Sequence, residues 1–350
     1  MTRVPGIADF GTRLLDWFAE YGRHHLPWQH PRTPYRVWLS EIMLQQTQVA
    51  VAAPYFERFV AALPDLPALA AASQDHVLAL WSGLGYYARA RNLQATAKIC
   101  VDIHGGDLPR NADALHALPG IGRSTAGAIM TQAWGERAAI LDANVKRVLC
   151  RLHGIEGWPG TPAVEKQLWA IAESLLPDTR LSDYTQALMD FGATLCTRVD
   201  PSCLRCPLQN DCIALREGRI AELPSPKPGK PLPQRTVHML VIEDDAGRIL
   251  LQRRPPTGVW ACLWSLPEHA DPSEAHAWLV RHVKDEVESL RAADPIMHVF
   301  SHYKLLILPH RITGVRSRTA IGDNPDLRWT HRTELAGIGL PAPVRRLLKE

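Results

Sequence analysis

LPGIGRSTAGAI, residues 118–129, places two glycines around an isoleucine directly before a helix-like segment. The turn suggests a phosphate loop, but it fails both nucleotide-binding motifs. No lysine follows Gly122 at the Walker A spacing, and Thr125 stands where the dinucleotide fingerprint needs a third glycine. What remains is a tight Gly120-Ile121-Gly122 turn with outward N–H groups at a helix N-terminus, which is an anion site. A DNA phosphate fits it as well as any other anion.

A cluster of cysteines follows further along the chain. Four of the seven cysteines lie within 17 residues, in the pattern C-x6-C-x2-C-x5-C: Cys196, Cys203, Cys206 and Cys212. Four thiolates on one short loop are suitable ligands for zinc or for an iron–sulfur cluster. Zinc sites usually use two closely spaced cysteine pairs, and only one such pair is present here. The longer arms suit the corners of a larger cubane, and clustering without an export signal favours metal over disulfides.

Two carboxylates stand beside apolar runs. Glu41 lies within VWLSEIML, where burial would raise its pKa and hold a general acid protonated near neutral pH. The alternative is a surface glutamate on an amphipathic helix. Asp142, in AAILDANVKRVL, precedes a helix-like segment and is equally an N-cap, a role that is compatible with catalysis. The sequence alone pairs these two residues only weakly.

Composition indicates a globular protein of two or three domains. The 350 residues are 46% hydrophobic and 21% charged, and no apolar run approaches the ~18 residues of a membrane span. The start lacks the features of a signal peptide, so we expect a cytoplasmic protein. Net charge is only +3, and residues 1–221 carry 21 basic against 21 acidic side chains, so any nucleic-acid surface must be local. Two basic clusters are candidates, with a solvated helix face as the alternative for each: Arg89 with Arg91, and Lys146 with Arg147 and Arg151.

The organisation changes once along the chain. Residues 1–221 are predicted to be mainly helical, with apolar residues recurring at intervals of three and four. Residues 222–234, ELPSPKPGKPLPQ, hold five prolines and form an extended connector. Residues 235–350 begin with a hairpin pattern, RTVHMLVIEDDAGRILLQRRP, and contain further strands and one helical segment around SEAHAWLVRHVKDEVESL, an α+β domain.

Taken together, the LPGIG turn, ILDANVKRV and the four-cysteine run resemble the helix–hairpin–helix DNA glycosylase superfamily, to which endonuclease III belongs. SEIMLQQTQV, WSGLGYYARARNL and the appended C-terminal domain are similar to the adenine DNA glycosylase (MutY) family within it. The resemblance implies a mainly α N-terminal region with a helix–hairpin–helix glycosylase fold (hairpin at about 114–130) and an iron–sulfur loop over 196–212. It also implies one [4Fe-4S] cluster held by the four cysteines, and an α+β Nudix-like C-terminal domain.

The family removes adenine mispaired with 8-oxoguanine or guanine in double-stranded DNA. By resemblance, Glu41 protonates adenine, Asp142 supports the oxocarbenium-like sugar, and Asn144 is a further active-site residue. The resemblance also implies that Lys146 and Arg147 face the DNA backbone. The other DNA-contacting residues that it implies are Trp28 and Gln186 at the adenine pocket, Gln46, Thr47 and Tyr86 as the wedge, Gly120, Gly122 and Ser124 at the hairpin, and Phe300, Ser301 and His302 at 8-oxoguanine. We expect a monomer with no membrane partner.

Ser124 separates this chain from the bifunctional members of the superfamily. Those enzymes carry a lysine at this point that forms a Schiff base with the sugar, and a serine hydroxyl cannot. We therefore expect a monofunctional glycosylase, although Ser124 can also be a helix-start residue that satisfies backbone donors. The C-terminal domain lacks the carboxylate cluster of a working Nudix hydrolase, so we interpret it as a recognition module. The remaining alternatives are an endonuclease III-like glycosylase/lyase and a non-catalytic DNA-damage binding protein.

Overall fold

The first part of the chain is built from helices. The computed structural model describes residues 9–229, 231–283, 291–315 and 324–349, and its residues 9–229 contain twelve α-helices and no strand. These helices are α1 Phe10–Tyr21, α2 Pro34–Leu44, α3 Val49–Ala62, α4 Leu66–Ala71, α5 Gln74–Trp81, α6 Ala88–Ile103, α7 Ala112–His116, α8 Arg123–Trp134, α9 Ala143–His153, α10 Pro162–Ser174, α11 Leu181–Asp190 and α12 Ile213–Arg216. A π-helical turn, Phe191–Leu195, extends α11. The helical prediction for this region is confirmed.

One hydrophobic core joins the helices packed around α8, which follows the glycine turn of the hairpin. Apolar side chains of α1, α9, α10 and α11 meet in it, among them the fully buried Leu14, Leu149 and Leu168. The three- and four-residue spacing of apolar positions gives each helix one buried stripe, and burying those stripes against each other is what stabilises the layer. Cys196, Cys206 and Cys212 pack against the edge of this core. The cysteine loop is therefore attached to the helices that position the hairpin.

The C-terminal part forms a mixed sheet. The strands are β1 Gln234–Asp244, β2 Arg248–Arg253, β3 Trp264–Ser265, β4 Glu268–His269, β5 Arg291–Ala292, β6 Ile296–Val299, β7 Lys304–Val315 and β8 Leu327–His331, with α13 Pro272–His282 and α14 Ala342–Leu347. The main order is β3-β2-β1-β7-β5; β4 pairs with β1, β6 with β7 and β8 with β2. β1 and β7 are parallel, and the other pairs are antiparallel.

Both faces of this sheet are covered, which explains the unbroken apolar run in β1. Met239 and Val241 belong to one core with residues near α14, and Leu240 and Ile242 belong to another with α13. A strand buried on both faces has no polar face to alternate with, so its sequence reads as continuous apolar residues. The α+β prediction is confirmed. The first part of the helical segment expected over SEAHAWLVRHVKDEVESL is α13, and its residues 284–290 lie outside the described residues.

Contacts divide the chain into two compact units. The first holds residues up to 70 together with 95–229, and the second holds residues 71–94 together with the C-terminal domain. Residues 71–94 attach to that domain through specific bonds: Tyr87 Oη donates to the Leu340 carbonyl at 3.0 Å, and Arg253 pairs with Asp75 at 2.7 Å. The sequence places this segment in the helical region, whereas its contacts group it with the second unit. Among the described helices, none has both the length and the apolar character that crossing a membrane requires.

We expect Gly127→Ala to destabilise the first unit, although alanine is the better helix former. A Cβ at Gly127, in α8, would lie 2.3 Å from the Ala139 carbonyl oxygen. Relieving that clash costs about 1–3 kcal/mol, which exceeds the gain of about 1 kcal/mol in helix propensity. Urea unfolding measures the difference, with Gly337→Ala as control because a Cβ there meets nothing within 4 Å. An unchanged midpoint for Gly127→Ala would mean that the loop segment at Ala139 can move away.

Candidate active site

Glu41 lies in the middle of α2, with its carboxyl group turned among protein atoms. The helix begins after Thr33, whose side chain accepts from the Arg36 N–H, and its buried side chains include Trp38 and Ile42. α2 packs against α8. The Gln132 side chain, on α8, donates to Glu41 Oε1 at 3.4 Å. Although the whole residue keeps some exposure, the carboxyl group is deep enough for burial to dominate its chemistry.

Asp142 is the N-cap of α9. Its Oδ1 accepts the Val145 N–H at 2.7 Å, and its Oδ2 faces the Asn144 amide at 3.4 Å. The alternative suggested by the sequence, a capping role, is thus present, and it holds the carboxylate at the positive end of a helix. The capping role of Asp142 does not exclude a catalytic role, because the helix cap occupies only its Oδ1.

The structure brings these two carboxyl groups together. Burial, together with the negative charge of Asp142, raises the pKa of Glu41 to about 8. Burial also raises the pKa of Asp142, but backbone N–H groups, Asn144 and the Arg147 charge oppose that rise by stabilising its anion. The surroundings of Glu41 thus favour its protonated form, whereas Asp142 has hydrogen-bond donors and a nearby cation that favour its anion. A buried carboxylic acid beside a second carboxyl group whose anion is hydrogen-bonded supplies the components of acid-assisted glycosidic cleavage.

The glycine turn forms the entry to α8. Gly120 has φ 79°, a left-handed conformation that favours glycine, and Ile121 is buried. Gly122 is the N-cap, no side chain caps the helix, and a Cβ at Gly122 would meet nothing within 4 Å. The first-turn N–H groups of α8 therefore face open space at the positive end of the helix. This is the geometry of an anion site.

Ser124 links the hairpin to the segment that carries Asp142. Its Oγ accepts the Leu141 N–H at 2.9 Å, one residue before the N-cap of α9. The backbone-satisfying role considered from the sequence is thus present, with a partner 17 residues away. The bond ties the position of Asp142 to the hairpin.

Two predicted pocket residues are buried in the first unit. Trp28 is 4% exposed and packs edge-on against Phe56, with ring centroids 5.5 Å apart. Gln186 lies on α11 and is 2% exposed. α11 packs against both α8 and α9, the helices that carry Gln132 and Asp142.

The predicted wedge residues lie in strained turns of different units. Gln46 and Thr47 follow α2 in the first unit, and Gln46 has φ 57°. Tyr86, in the second unit, has φ 48° and is 50% exposed. Left-handed conformations in non-glycine residues cost about 1–3 kcal/mol and concentrate at functional sites. Both turns therefore have the strained backbone conformation that is common at functional sites.

One of the basic clusters proposed from the sequence is directed inward. The Arg147 guanidinium donates to the carbonyls of Gly192 and Cys196 and to Asn144 Oδ1, at 2.6, 2.8 and 2.9 Å. Arg151 is 2% exposed and bonded to four acceptors of the polypeptide. Lys146 pairs with Glu165. The expectation that Arg147 faces the DNA backbone is therefore not what the structure shows: its charge instead joins the Asp142–Asn144 turn to the cysteine loop.

The four clustered cysteines are close enough to influence one another. All four thiols are free and partly buried. The pKa values of Cys203, Cys206 and Cys212 are raised by burial and by neighbouring thiolates of the set. Arg151 Nη1 donates to Cys196 Sγ at 3.5 Å, the kind of bond that stabilises a ligating thiolate. These residues fit a thiolate-bound metal centre, although in the described part of the chain no three His, Cys, Asp or Glu side chains already surround a single ion position.

The predicted 8-oxoguanine contacts lie in the turn between β6 and β7. Phe300 packs against Trp260, with ring centroids 5.3 Å apart, and against Tyr303. Ser301 and His302 are exposed, and Ser301 Oγ lies 3.4 Å from His302 Nδ1. The packed ring of Phe300 thus supports a turn whose Ser301 and His302 side chains are exposed to solvent.

Sequence reasoning missed the residues that hold the site in place. Gln132 at Glu41 and Asp190 at Gln186 carry no local motif. Asp190 also pairs with Arg23, 167 positions away. The only signal available was their polarity within otherwise apolar helices.

Two family models match separate parts of the chain. Residues 39–174 match the family model of the HhH-GPD superfamily of base excision DNA repair proteins, and residues 238–350 match that of the NUDIX domain. The chain is similar to the adenine DNA glycosylase of Buchnera aphidicola subsp. Acyrthosiphon pisum, at 37% identity over 97% of each chain. It is also similar to the human adenine DNA glycosylase, at 32% identity over 99% of this chain and 74% of the human one.

A solved thermostable thymine-DNA glycosylase has the fold of the helical part. It is 29% identical with a TM-score of 0.53, covering 59% of this chain and 95% of its own. The full-length similarity to curated relatives, together with the paired carboxyl groups beside a glycine hairpin, establishes that the chain belongs to the adenine DNA glycosylase family.

Proposed function

We propose that this protein is a monofunctional base-excision repair glycosylase that hydrolyses the N-glycosidic bond of adenine mispaired with 8-oxoguanine or guanine. The observation that carries the proposal is the buried pair of Glu41 and Asp142, in which burial favours the acid form of Glu41 while backbone N–H groups, Asn144 and Arg147 favour the anion of Asp142. The adenine DNA glycosylase relatives support the choice of base. The chemistry needs an acid for the base and an anion for the sugar, and this pair supplies both.

Each residue has one task in the reaction. The target adenine leaves the base stack and enters the pocket near Trp28 and Gln186, and Gln46 and Thr47 fill the gap. Tyr86 is a further DNA contact. Glu41, oriented by Gln132, transfers its proton to the adenine ring and makes the base a neutral leaving group. The Asp142 carboxylate then stabilises the positive charge that develops on the sugar, until the oxygen of a water molecule bonds to the sugar carbon and its proton returns to the Glu41 carboxylate. Asn144 holds Asp142 through its amide group.

The hairpin holds the DNA strand without cutting it. The N–H groups that Gly122 and the first turn of α8 present bind a backbone phosphate. Ser124 has no amine for a Schiff base, and its hydroxyl oxygen is engaged by the Leu141 N–H. This supports hydrolysis without strand cleavage. Ser301 and His302 contact the 8-oxoguanine opposite the adenine, and the protein acts as a monomer in the cytoplasm, at the nucleoid.

The proposed cofactor is one [4Fe-4S] cluster held by Cys196, Cys203, Cys206 and Cys212. When bound, such a cluster joins four points of one loop through metal–thiolate bonds and braces it. Arg147 connects this loop to Asn144 through hydrogen bonds of 2.8 and 2.9 Å. Bracing the loop therefore restricts the turn that holds Asp142.

The function is tested by alkali cleavage of defined duplexes. We expect alkali-dependent strand breaks with A:8-oxoguanine and A:G duplexes, none with A:T, and no breaks without alkali. On a duplex containing an oxidised pyrimidine, borohydride should trap no covalent adduct. A trapped adduct would instead indicate a glycosylase/lyase. Tight binding to A:8-oxoguanine without adenine release would indicate a DNA-damage binding protein.

The cluster is tested by metal analysis of the purified chain. We expect a broad visible absorbance and about four iron atoms per chain, because four thiolates saturate one cubane. Cys206→Ser should lose both, whereas Cys262→Ser, in the second unit, should keep them. Stoichiometric zinc without visible absorbance would contradict this assignment.

A further inference from the structure

One side of α10 pairs with cations that come from the starts of two other helices. Glu165 Oε1 lies 2.6 Å from the ammonium nitrogen of Lys146, which is near the start of α9. Glu173 pairs with Arg123, the first residue of α8. Between these carboxylates along α10, Trp169 lies under the Arg123 guanidinium, whose carbon is 3.9 Å from the ring centroid. Because the three α10 residues follow one another at intervals of four, they lie on one side of the helix, here called the α10 face.

The α10 face is held in place by its own helix. Glu165 lies in the first turn of α10, where the positive end of the helix favours a carboxylate anion. Trp169 packs against the hydrophobic core of the first unit, and α10 packs against α9. The two carboxylates and the ring therefore present fixed partners to Lys146 and Arg123.

Without these partners the two cations would lie where the DNA strand is expected. Helical side chains lean toward the N-terminus of their helix. Arg123 would lie beside the open N–H groups of α8, and Lys146 beside the end of α9 that carries Asp142. A free cation at either place would neutralise a backbone phosphate, and that contact strengthens binding to DNA of any sequence. The α10 face instead compensates both charges within the protein.

We propose that Glu165 and Glu173 withhold Lys146 and Arg123 from DNA phosphates and thereby limit the affinity of the protein for DNA without a mispair. This inference rests on the proposed function. The phosphate at α8 is then bound by backbone N–H groups at one fixed position, whereas a long flexible cation would follow any backbone. Undamaged DNA presents competing sites in vast excess over mispairs, so weak sequence-independent binding leaves more of the protein free to find its target.

The test measures the affinity of the full chain for a fully paired, undamaged duplex by fluorescence anisotropy, from about 50 to about 200 mM salt. The variants are Glu165→Gln and Glu173→Gln, which keep the size of the side chain and remove its charge. The matched control is Glu136→Gln, beyond the other end of α8, because it makes the same change of charge and releases Arg110 from an ion pair of 2.6 Å. Loss of such exposed pairs has little effect on folding, which urea unfolding checks.

We expect each α10 variant to bind about threefold or more tightly at the lower salt concentration, and the gain to disappear at the higher one. One additional phosphate contact steepens the slope of log affinity against log salt by about 0.9. Glu136→Gln should keep the wild-type slope. An equal gain in that control would assign the effect to net charge and overturn the proposal. Unchanged binding of either α10 variant would overturn the role of that carboxylate.

A double variant separates a withheld cation from one that already contacts DNA. Arg123→Ala with Glu173→Gln removes both partners and leaves the net charge of the wild type. We expect it to bind undamaged DNA with the wild-type affinity and slope, because neither protein offers a free cation at this position. Weaker binding with a shallower slope would mean that Arg123 contacts a phosphate despite Glu173, and the proposal would fail. Wild-type protein that binds no DNA at the lower salt concentration would instead overturn the proposed function.

Discussion

Replacing Glu41 with glutamine is expected to reduce adenine release by about 10²–10⁴-fold or more while binding of A:8-oxoguanine DNA persists. The amide has the shape of the protonated acid and can still accept from Gln132, but it has no acidic proton to transfer. The loss therefore appears in the chemical step. Single-turnover release of adenine measures it, and a gel shift measures binding.

A matched control is Glu57→Gln on α3, since Glu57 is exposed and lies outside the carboxyl pair. We expect its rate to equal that of the wild type. Equal rates for Glu41→Gln and wild type would remove Glu41 from the mechanism. A loss of binding and of folding together would indicate a structural role instead.

The same residue determines the pH dependence. Burial and the Asp142 charge raise the pKa of Glu41 to about 8, so the acid form dominates at neutral pH and is lost above about pH 8. We expect adenine release to fall in that range for the wild type. Residual activity of Glu41→Gln should lack this limb, because glutamine does not titrate.

The free energy of unfolding should also fall as pH rises, but over a lower pH range than activity does. Between the unfolded pKa of 4.5 and the folded value of about 8, the native state holds a proton that the unfolded state has released. Stability therefore falls as pH rises through this window, and the fall ends above about pH 8. Glu41→Gln removes the cost and should raise the melting temperature by about 2–4 °C or more at pH 8, with little effect near pH 4. A lower melting temperature at pH 8 would contradict the raised pKa.

Local patterns made the hairpin and the cysteine loop readable from the sequence. Gly120 and Gly122 directly before a helix indicate a tight turn at the helix N-terminus. Four cysteines within 17 residues indicate a metal site in a chain of this kind. The helical and sheet regions were equally predictable because their apolar spacing differs. These features depend on neighbours along the chain.

Contacts between residues that are far apart in the sequence were not predictable. Arg147 and Arg151 look like a basic patch beside Lys146, yet the loop that begins at Cys196 folds over them and supplies their acceptors. Residues 71–94 have a helical pattern, but their partners are in the C-terminal domain, over 160 positions away. Long-range pairing of this kind leaves no periodic trace in a single sequence.

Asp142→Asn is expected to reduce adenine release by about 10²–10³-fold with little loss of stability. Asparagine is as good an N-cap as aspartate, and its side-chain oxygen can keep the bond to the Val145 N–H. Only the negative charge is lost. Asp142→Ala loses the cap as well and should unfold about 1 kcal/mol more easily, so comparing the two separates charge from capping.

The charge of Asp142 has a second consequence that tests the pair as a unit. Because that charge raises the pKa of Glu41, neutralising it should move the alkaline limb of the residual activity to lower pH, while burial keeps it above the ordinary value. A residual rate with an unshifted limb would mean that the two carboxyl groups titrate independently. In that case the proton would be on Glu41 through burial alone, and Asp142 would act only on the sugar. A shifted limb with a slow rate supports electrostatic coupling, in which the charge of Asp142 helps to keep Glu41 protonated.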